Sequence, residues 1–235
     1  MSAEVKIRVD CETSNISTSD STKSGNISSR GKLTRTMSAT SADKYPVHKA
    51  FGQAELKEGI TGYHFDGTSG LNLSSTYTKP TNNTGGFIIM WNKCSGYSNK
   101  HFLNGGTNGG HLKFVDANTL EYKAGGSKGA TTTIDLDNTT GSTTSYTYGT
   151  TDVEALIWTT DTSNNVQIFN VNGDRIFNGT VAGAYAGSFV YQHILHDGSF
   201  AGPSLTLLDL IVYEDHQITL SDGATIASVA NSLKN

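Results

Sequence analysis

Charge, cysteine and long apolar runs are all scarce in this chain, and each scarcity removes a class of function. Asp, Glu, Lys and Arg make up 16% of the 235 residues and leave a formal net charge of -4. Neutralising phosphates takes clustered Lys or Arg, and no cluster occurs, so no nucleic-acid partner is expected. The two cysteines, Cys11 and Cys94, are too few for a disulfide framework. Spacing does not say whether they pair, and two free buried thiols is the plainer reading. No run approaches the roughly 20 apolar residues that span a bilayer, so membrane insertion is not expected. Residues 1–8 alternate polar and apolar without the apolar core of a signal peptide, which predicts synthesis in the cytoplasm. So little surface charge does little to keep copies apart, and a protein held in an assembly is the expectation.

Catalytic carboxylates are also missing. A retaining glycosidase needs two carboxyl groups about 5 Å apart, and β-sandwich enzymes commonly supply them from an E-x-D-x-x-E run on one strand. Glu121, Glu154 and Glu214 each lack a second carboxylate two residues on. The chain is therefore expected not to be an enzyme.

What is present reads as one antiparallel β protein. Residues 165–180 form two β-rich runs joined at Asn172-Gly173, which predicts a tight primed hairpin turn. The run 153–159 alternates Val153, Ala155 and Ile157 with Leu156 and Trp158, so both its faces are expected to be covered. Residues 86–91 alternate in the same way, and 205–213 is nearly continuous Leu, Ile and Val. Shorter strands are expected at 5–11, 60–65, 71–74, 100–104, 112–115, 119–123 and 188–195, with edge strands at 131–136 and 145–148. A hairpin between two such strands needs a second sheet against its apolar face, which gives a sandwich. Ser221 or Asp222 is placed to cap a short helix from Ala224 to Leu233.

The N-terminal stretch has another character. Residues 12–41 are half Ser or Thr, with isolated apolar side chains, too few to order themselves. The expected organisation is a Ser/Thr-rich arm and linker over 1–57 and a β-sandwich over 58–235. In the arm, Val5, Ile7, Val9, Ile16, Ile27, Leu33 and Met37 are the positions with which it would hold neighbouring subunits.

Tyr63-His64-Phe65-Asp66-Gly67-Thr68, followed by Leu71-Asn72-Leu73, resembles the opening strand pair of concanavalin A-like, laminin-G-like jelly-roll domains. Phe87-Ile88-Ile89-Met90-Trp91 is similar to that family's next core strand. Residues 166–177 resemble its hairpin, and 207–213 its last strand. The resemblance covers 58–234 and rests on the order of short motifs. It implies an all-β jelly-roll sandwich with an extended N-terminal arm and a short C-terminal helix. The fold serves lectins, glycosidases, adhesion modules and bacteriophage structural proteins. With the polar arm, the Gly, Thr and Asn bias and the missing active site, the chain looks most like a virion structural protein. It would be a capsid decoration protein or a tail or fibre component, bound in repeated copies to other virion proteins on the particle surface. The alternative is a glycan-binding, lectin-like adhesion module.

Sugar recognition uses aromatic platforms with Asn, Asp and Gly around them. Tyr97, Asn99, His101 and Asn104 stand near the glycine-rich stretch 105–110, and Tyr185 and Tyr191, with His193, form another set. These are the candidate glycan contacts; a subunit interface is the plainer role for surface Tyr. The stretch 105–110 lacks the Gly-Lys-Ser/Thr ending and the following helix of a phosphate loop. No cofactor is expected, with calcium as the alternative, because Asp135 and Asp137 are the one carboxylate pair on a strand face. Asp66 is expected to bond its own Gly67-Thr68 turn. His193 and His196 lie three apart and start on opposite faces, which counts against a transition-metal site.

Overall fold

The computed structural model describes residues 4–10, 16–17, 26–33, 35–41, 44–49, 62–106, 109–125, 129–136, 145–150, 152–219, 222 and 225. In chain order the strands are β1 (Glu4–Asp10), β2 (Ile16–Ser17), β3 (Asn26–Ser28), β4 (Thr36–Ser38), β5 (Val47–Lys49) and β6 (Gly62–Asp66). Then come β7 (Leu71–Thr78), β8 (Gly85–Ser95), β9 (Lys100–Asn104), β10 (His111–Asp116), β11 (Thr119–Lys123) and β12 (Thr131–Asp135). The rest are β13 (Val153–Thr160), β14 (Asn165–Phe169), β15 (Arg175–Thr180), β16 (Val190–Ile194) and β17 (Ser204–Glu214). They build two open antiparallel sheets. Sheet A runs β15-β14-β13-β8-β17-β6-β5, with β1 also on β17, and sheet B runs β12-β11-β10-β9-β16-β7-β4-β3-β2.

Alternation decides which strands sit at the centre. In β8, Phe87, Ile89 and Trp91 face the core between the sheets, while Ile88 and Met90 belong to a second cluster on the outer face of sheet A. β13 divides in the same way, with Leu156 and Trp158 inward and Val153, Ala155 and Ile157 outward. Fully burying one such side chain is worth about 1.5–3 kcal/mol, so a strand covered on both faces belongs in mid-sheet. Ile218, after β17, is 4% exposed in the outer cluster, and its N–H donates to Thr159 Oγ1 at 2.9 Å.

The leader is woven into both sheets. β1 and β5 pair in sheet A, and β2, β3 and β4 extend sheet B. Strands from both sides of position 57 therefore share each sheet. Ile7, Val9, Ile27 and Met37 are fully buried in the protein's own core, and Leu33 packs partly buried against it. Ile16 pairs with Ile27, and Val5 remains exposed. One edge of β17 is divided between β6, opposite Ser204 to Leu207, and β1, opposite Asp209 to Glu214. Arg8 donates to Asp209 through Nε at 3.2 Å and Nη2 at 2.8 Å, and Lys6 Nζ lies 3.3 Å from Glu214. These pairs hold β1 along that edge.

Three expectations are corrected. The short C-terminal helix from Ala224 to Leu233 is not among the elements of the described residues, which are all strands, and of that stretch only Thr225 is described. The hairpin turn is wider than two residues. Gly173 N–H bonds Asn170 O at 3.0 Å, Gly173 alone in the loop takes a positive φ, and the ladder shifts between Ile168 and Phe169. Asn170 Oδ1 fixes this loop by accepting the N–H groups of Asn172 and Asp174. Residues 145–148 are not a strand; Tyr146 N–H and Tyr148 N–H bond Leu136 O and Ala117 O in separate connections. The Asp66 turn has the expected form, with Thr68 N–H on Asp66 Oδ1 at 2.9 Å.

Candidate binding face

The outer face of sheet B is polar because its strands alternate. Leu112, Phe114, Leu120 and Tyr122 fill the core, which leaves His111, Lys113, Glu121 and Lys123 pointing outward. Register then joins side chains from different strands. Thr131 stands opposite Lys123, Lys123 opposite His111 and His111 opposite Asn104. The row continues through His193 and Asn72 to Ser38. A line of hydrogen-bonding side chains thus crosses β12, β11, β10, β9, β16, β7 and β4. With strands about 4.8 Å apart it is about 29 Å long. A second row sets Thr133, Glu121, Lys113 and His101 side by side.

At the middle of the first row, His193 Nδ1 is 2.6 Å from Asn72 Oδ1. A carboxamide oxygen only accepts, so Nδ1 carries the proton and Nε2 of the neutral ring is an acceptor. That nitrogen faces two glycines: a Cβ on Gly106 or Gly198 would lie 3.7 or 3.5 Å from it. Asn104 Oδ1 accepts Gly106 N–H at 2.6 Å, and its Nδ2 donates to Asp197 O at 3.4 Å. These bonds position both loops beside His193. His196 does not lie on the far side as alternation predicted. Leu195 takes φ 58°, which turns the chain and brings the two imidazoles to 4.7 Å between ring centres.

His196 is completely buried. Its Nε2 donates to Leu71 O at 3.3 Å, its Nδ1 accepts Gly198 N–H at 3.1 Å, and its ring stacks on Phe200 at 4.4 Å. Burial, reinforced by the neighbouring His193, pushes its pKa down to about 4. His101 is likewise pushed down to about 4, by burial first and then by His111 and Lys113. Burial also lowers His111 and His193. At neutral pH these four imidazoles are uncharged donors and acceptors. Burial pushes Glu121 up, but Lys113 Nζ and His111 Nε2, each 2.8 Å away, hold it below the ordinary carboxylate value.

Of the expected glycan contacts, His101 and Asn104 come together on this face. Tyr97 and Tyr191 are corrections, because both are core residues. Tyr97 OH accepts Trp91 Nε1–H at 3.1 Å, and Tyr191 packs 5.1 Å from Tyr77. The ladder shifts between Tyr191 and His193, so the two do not share a face. Asn99 is exposed in the turn before β9 at φ 52°. Tyr185 is half-buried far along the chain, its N–H on Asn164 Oδ1. Asp135 is exposed on β12, and Asp137 lies outside the described residues. Among the described residues no group of three or more His, Cys, Asp or Glu is arranged to hold a metal ion. Cys94 is a free thiol, pushed up to about 12 by burial, and Cys11 lies outside the described residues.

Glu154 and Glu214 serve the scaffold. Glu154, fully buried, accepts Tyr146 OH and Gly149 N–H; Glu214 accepts Tyr77 OH and Asn83 Nδ2. Sequence reasoning missed Asn72, His111 and Lys113. The alternation of His111 and Lys113 with Leu112 and Phe114 was the available signal, but cross-strand register is not written in any one strand.

No protein-family model and no curated protein matches the sequence. Solved structures do share the fold. Domain 4 of AbnA, a GH43 extracellular arabinanase from Geobacillus stearothermophilus, in complex with arabinotriose, is similar with a TM-score of 0.57 and 16% identity, over 97% of this chain and 100% of that one. An arabinofuranosidase complexed with arabinofuranosyl-alpha-1,2-xylobiose gives 0.58 and 9%, over 91% of this chain and 52% of that one. A mutant of Trypanosoma rangeli sialidase displaying trans-sialidase activity gives 0.53 and 10%, over 99% and 34%. The chain thus spans the whole of the first but only about half and a third of the other two. At these identities the likeness is one of fold, an all-β sandwich.

Proposed function

We propose that this chain is a carbohydrate-binding module of concanavalin A-like, laminin-G-like type, without catalysis of its own, and that glycans lie along the outer face of sheet B. The observation that carries the reading is the seven-strand row from Thr131 to Ser38. A sugar chain offers hydroxyls that both donate and accept, and the neutral imidazoles, carboxamides and hydroxyls that make up this row apart from Lys123 answer in both senses without the desolvation cost of bare charges. The arabinotriose in the complex of AbnA Domain 4, whose whole length this chain matches in fold, supports an arabinose-containing glycan as the first ligand to try. No cofactor is part of the proposal. Titration calorimetry with arabino-oligosaccharides, alongside a glycan array, with calcium and with chelator, tests it. Binding that weakens at least tenfold in His193→Ala and in His101→Ala is expected, about 1.4 kcal/mol each. No binding to any glycan in either condition would overturn the proposal.

The virion reading has less behind it. Ile7, Val9, Ile27 and Met37, the side chains an assembly arm would offer to capsid or tail proteins, are buried within this chain. Finding the protein at fixed stoichiometry in purified particles would restore that reading.

A further inference from the structure

The two sheets part along one side of the sandwich, where β12 is the last strand of sheet B and β15 the last strand of sheet A. Thr132, Thr133 and Asp135 face Phe177, Asn178 and Thr180 across a groove of ≈ 310 Å³. Behind it, Ile134 and Ile176 are fully buried in the core. Ala182 N–H donates to Thr132 Oγ1 at 3.3 Å and ties the two sheet ends together.

We propose that this groove is a terminal subsite that takes the last one or two units of a neutral glycan lying on sheet B. The inference rests on the carbohydrate reading above and extends it to a place that reading does not use. The second polar row, from His101 through Lys113 and Glu121, ends at Thr133 on the lip of the groove. A chain laid along that row therefore runs into it. The volume is at the lower end of ligand pockets, about 300–1,000 Å³, which suits a short end and not a long segment.

The lining narrows the ligand class. Phe177 supplies one half-buried aromatic ring, and the side chains around it carry hydroxyls, a carboxamide and a carboxylate. A sugar ring has the matching anatomy, an apolar C–H face bordered by hydroxyls. Gly179 adjoins the ring: a Cβ there would stand 3.0 Å from Phe177 Cζ, so a side chain at 179 would displace the platform. A purely apolar ligand would leave the surrounding polar groups desolvated and unpaired. An extended peptide adding to either edge would have to run the length of the strands. The Thr132 to Ala182 bond closes that path.

The experiment is backbone amide spectroscopy of the intact ¹⁵N-labelled chain titrated with arabinobiose, xylobiose and lactose, then with the matching trisaccharides. Shifts at Thr132, Thr133, Asn178 and Gly179 are expected with at least one disaccharide. Phe177→Leu, which keeps apolar bulk behind the groove, should weaken that sugar at least tenfold, as should Asn178→Ala, and the trisaccharide should add shifts at Glu121 and Lys113. Shifts on β4, β7, β9, β10, β11 and β16 with none at Thr132, Thr133, Asn178 or Gly179 would overturn the groove proposal and leave the carbohydrate reading standing. Groove shifts without any on the other strands of sheet B would keep the subsite and move the binding site away from the face proposed above. Silence at both places would defeat both. Because the shifts are read on the unaltered protein, a variant that fails to fold does not remove the test.

Discussion

Acidification should loosen this protein through His196 before its carboxylates respond. The ring is completely buried, with Nδ1 accepting Gly198 N–H and Nε2–H donating to Leu71 O. Protonating Nδ1 would set two N–H groups against each other in a site that already disfavours charge. The folded-state pKa, about 4, lies below the ordinary value of 6.5, so the unfolded chain takes up the proton first as pH falls. The sign follows: the contribution is whole above pH 6.5, declines between 6.5 and about 4, and is gone below that. The difference between the two values corresponds to about 3 kcal/mol, with a slope approaching about 1.4 kcal/mol per pH unit. That is a large share of the roughly 5–15 kcal/mol that holds a domain folded. His101 adds to the effect in the same window, discounted for its partial exposure. The carboxyls of Asp197 and Glu121, held below their ordinary values of 3.8 and 4.5, enter only at the acid end of this window.

Urea unfolding of the native chain and of His196→Gln at pH 7.5, 6.5, 5.5 and 4.5 measures this. Gln keeps a donor for Leu71 O but gives Gly198 N–H no acceptor, so the variant should be about 1–3 kcal/mol less stable at pH 7.5. Its stability should then fall less steeply with pH than that of the native chain, and the two should converge near pH 4.5. Parallel curves across this range would refute the reasoning, because they would place the acid sensitivity outside His196.

Gly86→Ala should destabilise the protein by at least about 3 kcal/mol in thermal or urea unfolding, because a Cβ there would come within 1.8 Å of Trp158 O, between the two central strands β8 and β13; an unchanged melting temperature would contradict that geometry. Arg8→Ala should cost about 1–3 kcal/mol, less at high salt, because the buried Asp209 carboxylate loses its two-pronged guanidinium contact; a double-mutant cycle with Asp209→Asn gives the pairwise term. In a Cys11→Ser background, Cys94 should react with a disulfide reagent at pH 8 roughly 30–60-fold more slowly than an ordinary thiol, because its pKa is raised from 9.0 to about 12 and the greater nucleophilicity of its thiolate offsets part of the lost fraction; reaction at the free-cysteine rate would show the site to be open.

The strands with two covered faces were readable from sequence because alternation carries over enough residues to average out. β8 and β13 are long, and each divides its side chains as their pattern says. The leader was harder to read. β2 to β4 are two or three residues each, too short to show a period, and what holds Ile27 and Met37 is pairing across loops. Tyr191 was misplaced for a local reason: a ladder shift separates it from His193, and a period of two does not survive a bulge. The binding face was visible only in fragments. His101 and Asn104 stood out beside a glycine run, but their partners Asn72, His111 and His193 come from three other strands, and only register brings them into line.

The bidentate pair between Arg8 and Asp209 joins positions 201 residues apart. β17 also serves as the shared neighbour of β8, β6 and β1. During synthesis, then, sheet A has no axis to close on until residue 214 has cleared the ribosome, and the earlier strands must wait with their edges unsatisfied. β1 waits longest for its partner and is the strand most exposed to capture by a chaperone, or by the unfinished edge of a sister chain.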